Sequence, residues 1–233
     1  MSRPEIIRYL ILRSIGNFLF LFAIFGVLAT FGPALYYEVH FRIQQIRGVH
    51  YVVAKQPHQT TSFSSGGFAQ VLTGPKEQIL APISTEFDIL IPKIGANAKV
   101  FPNIDPSKPV EFLPILQQGV AHAKGTVFPG MTGTIYLFAH STDNFWDAGR
   151  YNAVFYLLKD LAVGDEVVVF YKNTRYNYKV VDSKIVDPSD VSYIAQAQSG
   201  EAASGEPREQ LILQTCWPPG TAWKRLLVFA KPK

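Results

Sequence analysis

The only cysteine of the 233-residue chain, Cys216, lies where an apolar run ends, and Arg225 opens the next apolar run. The β-type residues 211–215 precede the thiol, and residues 218–220, Pro-Pro-Gly, separate the two runs. Two adjacent strands joined by this turn would place the thiol beside the guanidinium. A fixed cation favours the nucleophilic thiolate and can also stabilise an oxyanion. The alternative is a small buried hydrophobe, the ordinary role of a lone cysteine.

A thiol nucleophile works with a histidine, and the chain offers five candidates: His40, His50, His58, His122 and His140. His140 follows the apolar run 135–139 and opens a polar loop, the same strand-end setting as that of Cys216. It is therefore the predicted general acid–base residue. His122 lies in a stretch with glycines at both sides and is interpreted as a loop residue with a structural or substrate-lining role.

The composition excludes several classes of protein. A net charge of +4 without any block of like charges argues against a nucleic-acid partner. A single cysteine excludes an intramolecular disulfide. No group of His, Cys and acidic residues has metal-ligand spacing, so neither a metal site nor another cofactor is expected.

Residues 14–37 carry no charged side chain. As a helix they would span about 36 Å, more than the roughly 30 Å of a bilayer's hydrocarbon core. Arg3, Arg8 and Arg13 precede the span and favour an N-terminus inside the cell. The predicted organisation is a cytoplasmic N-terminus (1–13), a single transmembrane anchor (14–37), a flexible polar stalk (38–85) and an extracytoplasmic catalytic domain (86–233).

The sequence from residue 86 onward predicts an all-β domain. Short apolar runs recur at intervals and are separated by Gly- and Pro-containing loops, while helical periodicity is confined to short pieces such as 153–161. Asn173-Thr174 is a plausible hairpin turn. This pattern favours a small closed β-barrel of about eight strands with short helices.

The run TCWPPGTAWKR resembles the signature of the sortase family, in which a Thr-x-Thr-Cys strand end is followed by an arginine. Leu213 replaces the first of those threonines. Three upstream segments are similar to the family in the same order: LIPKIGANAKV, GVAHAKGTVFPGMTGTIYLFAHS and VFYLLKDLAVGDEVVVF. The resemblance covers about residues 86–233.

This resemblance implies the closed sortase barrel and a catalytic site of His140, Cys216 and Arg225. Cys216 would attack a C-terminal sorting signal of the Leu-Pro-x-Thr-Gly kind on a secreted protein, forming a thioacyl-enzyme. His140 would transfer protons and Arg225 would hold the oxyanion. The acceptor would be an amine of a cell-wall precursor or a pilin lysine. Thr215, Trp217 and His122 are the candidate substrate-binding residues.

Two other functions remain open at this stage. A cysteine peptidase or another wall-modifying transpeptidase could use the same three residues with water or a different acyl donor. A third possibility is a catalytically silent, membrane-anchored barrel that binds peptides. The presence of Cys216, His140 and Arg225 together argues against it. The acceptor pocket decides between water and amine, and the sequence does not specify it.

Overall fold

A computed structural model of the chain describes residues 3–53, 77–141, 154–199, 209–219 and 221–233. The chain divides into two compact units, Met1–His40 and Phe41–Lys233. The first unit is helical and belongs to α1 (Arg3–Ile46), whose segment Arg3–Ala29 is long and apolar enough to cross a membrane. The helix is longer than the predicted anchor at both ends.

The predicted stalk, 38–85, differs from the structure at both of its ends. The last turns of α1 belong to the second unit, where Phe41 is buried in the main hydrophobic core. Strands β1 (His50–Val53) and β2 (Glu77–Leu80) pair in parallel as a separate two-stranded sheet. The polar middle of the predicted stalk, 54–76, lies outside the described residues.

The second unit is built on a closed barrel of eight strands in the order β10-β8-β7-β3-β4-β5-β6-β9. Closure leaves no open sheet edge. Neighbouring strands are antiparallel except for β4–β5 and β6–β9, which are parallel. The strands are β3 (Phe87–Ile91), β4 (Ala96–Ile104), β5 (Val120–Ala123), β6 (Thr134–Phe138), β7 (Glu166–Tyr171), β8 (Thr174–Val186), β9 (Gln210–Trp217) and β10 (Lys224–Pro232).

These elements confirm the predicted all-β barrel and revise its details. Pro92 ends β3 as expected and begins a 3₁₀ helix, Pro92–Ile94. The β7–β8 turn is Lys172-Asn173, one residue before the predicted turn, and both residues have the positive φ that tight hairpins require. The helix predicted over 153–161 is a 3₁₀ helix, Tyr156–Asp160.

Side chains alternate between the barrel interior and the outer face along each strand. On β9, Leu211 and Leu213 point into the interior core, whereas Ile212 belongs to a second apolar cluster outside the barrel. Helices α2 (Pro109–Leu116) and α3 (Ser192–Gln198) contribute to this outer cluster. They cover part of the outer face of β6, β9 and β10, the strands that carry the candidate site.

A buried carboxyl lies on β3. Asp88 has no exposed surface, and its Oδ2 accepts a hydrogen bond from the Ser84 N–H at 2.7 Å. Its Oδ1 has no hydrogen-bond partner among the described residues. Burial raises the pKa of Asp88 to about 6, although backbone N–H groups of Ser84 and Ile83 and the charge of Lys99 oppose the shift.

Asp88 is therefore expected to make the fold more stable at acidic pH. The folded state holds this proton more tightly than the unfolded chain, whose carboxyl has the ordinary pKa of 3.8. The stability of wild type relative to Asp88→Asn should fall by about 3 kcal/mol in total as pH rises from about 3, below the unfolded pKa, to about 7, above the folded pKa, and then stay level. Denaturant titrations of both full-length proteins in detergent measure this difference, and a difference independent of pH would contradict the assignment.

Candidate active site

Cys216 and Arg225 face each other directly across two antiparallel strands. The register of β9 and β10 pairs Cys216 with Arg225 and Thr215 with Leu226. Since Leu226 points into the barrel, Cys216 and Arg225 point to the outer face. Both residues are partly exposed. The structure thus confirms the predicted hairpin, in which Cys216 and Arg225 are neighbours on adjacent strands.

His140 reaches the same place from the other side of β9. Strand β6 runs parallel to β9 and pairs Phe138 with Gln214. The ladder continues past the end of β6, because the Ala139 N–H donates to the Gln214 carbonyl at 3.1 Å. Two residues on from the Phe138–Gln214 pair, the same register sets His140 opposite Cys216.

The three residues therefore form one row across the ends of β6, β9 and β10, in the order His140, Cys216, Arg225. Each neighbour in the row is one strand spacing away, about 4.8 Å between backbones. A thiol with an imidazole on one side and a guanidinium on the other has the groups for nucleophilic attack, proton transfer and oxyanion stabilisation.

Burial sets the protonation state of His140. It lowers the pKa of the imidazole below its ordinary value, so the ring is neutral at neutral pH. A neutral imidazole can accept a proton from a thiol. The imidazolium formed in this way is an acid strong enough to give the proton up again to another group.

Arg225 is held in place by its own loop. Its Nη1 donates to the carbonyls of Ala222 at 3.1 Å and Lys224 at 3.0 Å. These contacts use one nitrogen of the planar fork. Among the described residues no acceptor takes the donors on Nε and Nη2, so this side of the planar fork can donate to a further group.

A family model of the sortase domain matches residues 89–233, a range that includes all three residues of the row. This chain belongs to the sortase family. Sortases are cysteine transpeptidases of the cell surface, and the order Cys–Arg on one hairpin with a preceding strand-end histidine is the pattern that the sequence shares with them.

The relatives agree with this assignment. Sortase D of Bacillus subtilis (strain 168) is 29% identical over 144 residues, which make up 60% of this chain and 60% of that protein. Two solved sortases share the fold: sortase C-1 from Actinomyces oris (TM-score 0.51, 24% identity, 65% of this chain and 75% of that one) and a lid mutant of sortase A from Corynebacterium diphtheriae (TM-score 0.50, 22% identity, 83% and 89%).

Thr215, a predicted substrate-binding residue of this sortase, lies on the other face of β9 from Cys216. It is 3% exposed, and its hydroxyl donates to the Ala139 carbonyl at 3.0 Å. This bond joins the end of β9 to the residue before His140. The bond thus fixes the strand end from which His140 follows, and a direct contact of Thr215 with substrate stays a prediction.

His122 is placed differently from the sequence interpretation, which put it in a loop. It belongs to β5 and points into the barrel with no exposed surface. Nδ1 accepts from the Asn103 N–H at 3.3 Å, and Nε2 lies 3.0 Å from the Val127 carbonyl, which fits a neutral ring protonated on Nε2. Burial lowers its pKa, and Phe128 stacks on it at 4.5 Å. These are the contacts of a structural residue.

Trp217 is partly exposed and packs against the interior core at the end of the barrel, on the opposite face of β9 from Cys216. The peptide bond that joins it to Pro218 is cis. Its predicted role in substrate binding stays a prediction. Among the described residues, no three His, Cys, Asp or Glu side chains lie close enough to hold a metal ion.

Two features around the row were not predicted from the sequence. Lys224 forms an ion pair with Asp187 at 2.6 Å, which ties the residue after β8 to the start of β10. Two residues before Cys216 on β9, Gln214 accepts a hydrogen bond through its Oε1 from the Tyr136 hydroxyl at 2.5 Å. Tyr136 and Gln214 each carry a polar group in or next to an apolar run, and that interruption is the signal that could have pointed to the two residues, although not to their contact.

Proposed function

We propose that this protein is a membrane-anchored sortase that cleaves a Leu-Pro-x-Thr-Gly-like C-terminal sorting signal of secreted proteins and transfers the acyl part to an amine. The observation that carries the proposal is the row His140–Cys216–Arg225 on one face of the barrel. The acceptor is an amine of a cell-wall precursor or a lysine of a pilin subunit.

The first half-reaction forms a thioester. As the thiol of Cys216 attacks the Thr–Gly carbonyl, His140 takes the thiol proton and a tetrahedral oxyanion forms. Collapse of this intermediate breaks the C–N bond, and the imidazolium gives its proton to the leaving amine. The products are the thioacyl-enzyme and the free C-terminal fragment.

In the second half-reaction an amine is the attacking group and the thiol of Cys216 is the leaving group. The incoming amine attacks the thioester carbonyl, His140 removes a proton from the attacking nitrogen, and the thiol leaves with a proton returned by the histidine. In both steps the donors on Nε and Nη2 of Arg225 stabilise the oxyanion. Water in place of the amine would give hydrolysis, which is the alternative activity.

The apolar helix supports a location at the cell membrane. Three arginines, Arg3, Arg8 and Arg13, precede the uncharged residues 14–37 and favour an N-terminus inside the cell with the catalytic domain outside. This is the compartment in which secreted proteins meet envelope amines.

Incubation of the full-length protein in detergent with sorting peptides, with and without a small amine, tests the proposal. Mass spectrometry should detect a new amide product when amine is present. Exclusive release of the free acid at saturating amine would favour the hydrolase, and no cleavage of any peptide would reject both.

Arg225 supplies a prediction that separates geometry from charge. Removing one oxyanion donor costs about 10²–10³ in turnover, so Arg225→Ala should lose about this much. Arg225→Lys keeps the charge without the planar fork and should recover only a small part of the loss. Turnover of both variants on one sorting peptide at saturating amine measures this, and near-wild-type activity in Arg225→Lys would reject the donor role.

A further inference from the structure

A polar pair lies on the outer face next to the row His140–Cys216–Arg225. Gln214 precedes Cys216 by two residues and so shares its face of β9, about 7 Å away along the strand. Its Oε1 accepts the hydrogen bond from the Tyr136 hydroxyl at 2.5 Å. Tyr136 is on β6, where its backbone pairs with Ile212, so its side chain reaches diagonally toward Gln214.

The surroundings of this pair are apolar. Gln214 lies between Phe138 on β6 and Leu227 on β10, its direct partners in the two ladders. Both neighbours belong to the outer apolar cluster, and Tyr136 is 1% exposed. A hydrogen bond in such a setting is costly to break, because the buried Tyr136 hydroxyl finds no water in exchange.

The hydrogen bond fixes which way the Gln214 amide points. The Tyr136 hydroxyl donates to Oε1, and burial raises the pKa of Tyr136, with smaller opposed effects from Arg225 and Asp190, so this donor keeps its proton. The amide Nε2 is then turned away from Tyr136. Gln214 is partly exposed, and among the described residues no acceptor takes the hydrogens of Nε2.

We propose that Gln214, oriented by Tyr136, determines substrate specificity: its Nε2 donates a hydrogen bond to an acceptor-bearing side chain within two residues of the scissile bond. The inference rests on the proposed function, since it concerns the peptide bound to the same row. The separation of about 7 Å between Gln214 and Cys216 equals two residues of an extended peptide. A site with an oriented donor disfavours an aliphatic side chain there, because the donor would lose water without gaining a partner.

The test compares sorting peptides that carry Asn, Leu or Lys, in turn, at each of the positions within two residues of the scissile bond. For the full-length wild type, kcat/KM should favour Asn by about tenfold at one of these positions. Gln214→Leu should remove this preference. Gln214→Glu keeps the oxygen that Tyr136 contacts but replaces the donor by an acceptor, so the preference should shift from Asn to Lys at the same position.

Tyr136→Phe tests the orienting role, and Tyr193→Phe is its matched control. The control removes a phenol hydroxyl from α3, where Tyr193 packs on Phe229 in the same outer cluster. Tyr136→Phe should weaken the Asn preference, the control should keep it, and the double variant Tyr136→Phe/Gln214→Leu should match Gln214→Leu alone. The pH profile of Cys216 alkylation should be the same as that of wild type in Tyr136→Phe, in Tyr193→Phe and in the double variant.

Each outcome decides the inference. If Gln214→Leu and Gln214→Glu slow the Asn and Leu peptides by the same factor, or if the wild type shows no preference while still forming acyl-enzyme, the specificity role is wrong and the proposed function stands. If no peptide acylates Cys216 in the wild type, the proposed function is wrong, and the specificity role of Gln214, which depends on it, is wrong as well.

Discussion

Cys216→Ala is expected to abolish both cleavage of a sorting peptide and its transfer to an amine. The chain has no other thiol, and no neighbouring group in the row can replace a nucleophile that forms the acyl-enzyme. Residual turnover should be below a thousandth of wild type, since loss of a covalent nucleophile costs more than loss of one acid–base group. Peptide cleavage followed by mass spectrometry measures it.

The fold of the Cys216→Ala variant should be intact. Cys216 is partly exposed on the outer face, so its removal opens no cavity in the barrel core. An unchanged circular dichroism spectrum and thermal midpoint are the control. Retention of a tenth of wild-type turnover by a properly folded variant would remove Cys216 from the mechanism.

Replacing either histidine of residues 86–233 by alanine should cause a different loss: mainly of turnover for His140 and mainly of stability for His122. His140→Ala is expected to lose about 10²–10⁴ in turnover, the usual contribution of general acid–base catalysis, with little effect on stability. His122→Ala should keep turnover within about tenfold at a temperature where it is folded. It should lose roughly 2–4 kcal/mol of stability, because it leaves a cavity and unpairs the Asn103 N–H and the Val127 carbonyl.

Parallel measurements of turnover and thermal unfolding on both histidine variants check this pair, each serving as the control of the other. A catalytic defect in His122→Ala as large as that of His140→Ala would show that strand-end position is a poor guide to the catalytic histidine. A stability loss in His140→Ala of the size expected for His122→Ala would mean that the strand-end histidine also supports the fold.

The sequence predicted the elements whose signal is local. The apolar runs before Cys216 and after Arg225, with Pro-Pro-Gly between them, were enough to predict the hairpin and its facing pair. Pro92 ended β3 where expected, because proline cannot donate to the ladder. Strand β5 was missed because it is four residues long and has glycines close to both ends.

Non-local pairing was beyond the sequence. The parallel register of β6 and β9, which sets His140 opposite Cys216, joins segments more than seventy residues apart. The pairing of β1 with β2 places ordered strands in a segment whose polar composition favoured a stalk. The hydrogen bond between Tyr136 and Gln214 likewise depends on that register, so alternation along one strand does not reveal it.

The central claim is that Cys216 carries the acyl group between donor and acceptor. Intact-mass spectrometry of the full-length wild type, mixed with a sorting peptide without amine and then with amine added, tests it directly. We expect a mass increase equal to the N-terminal peptide fragment, mapped to Cys216, that disappears as the amide product forms. Cleavage and transfer without any adduct on Cys216, or with an adduct on another residue, would contradict the account.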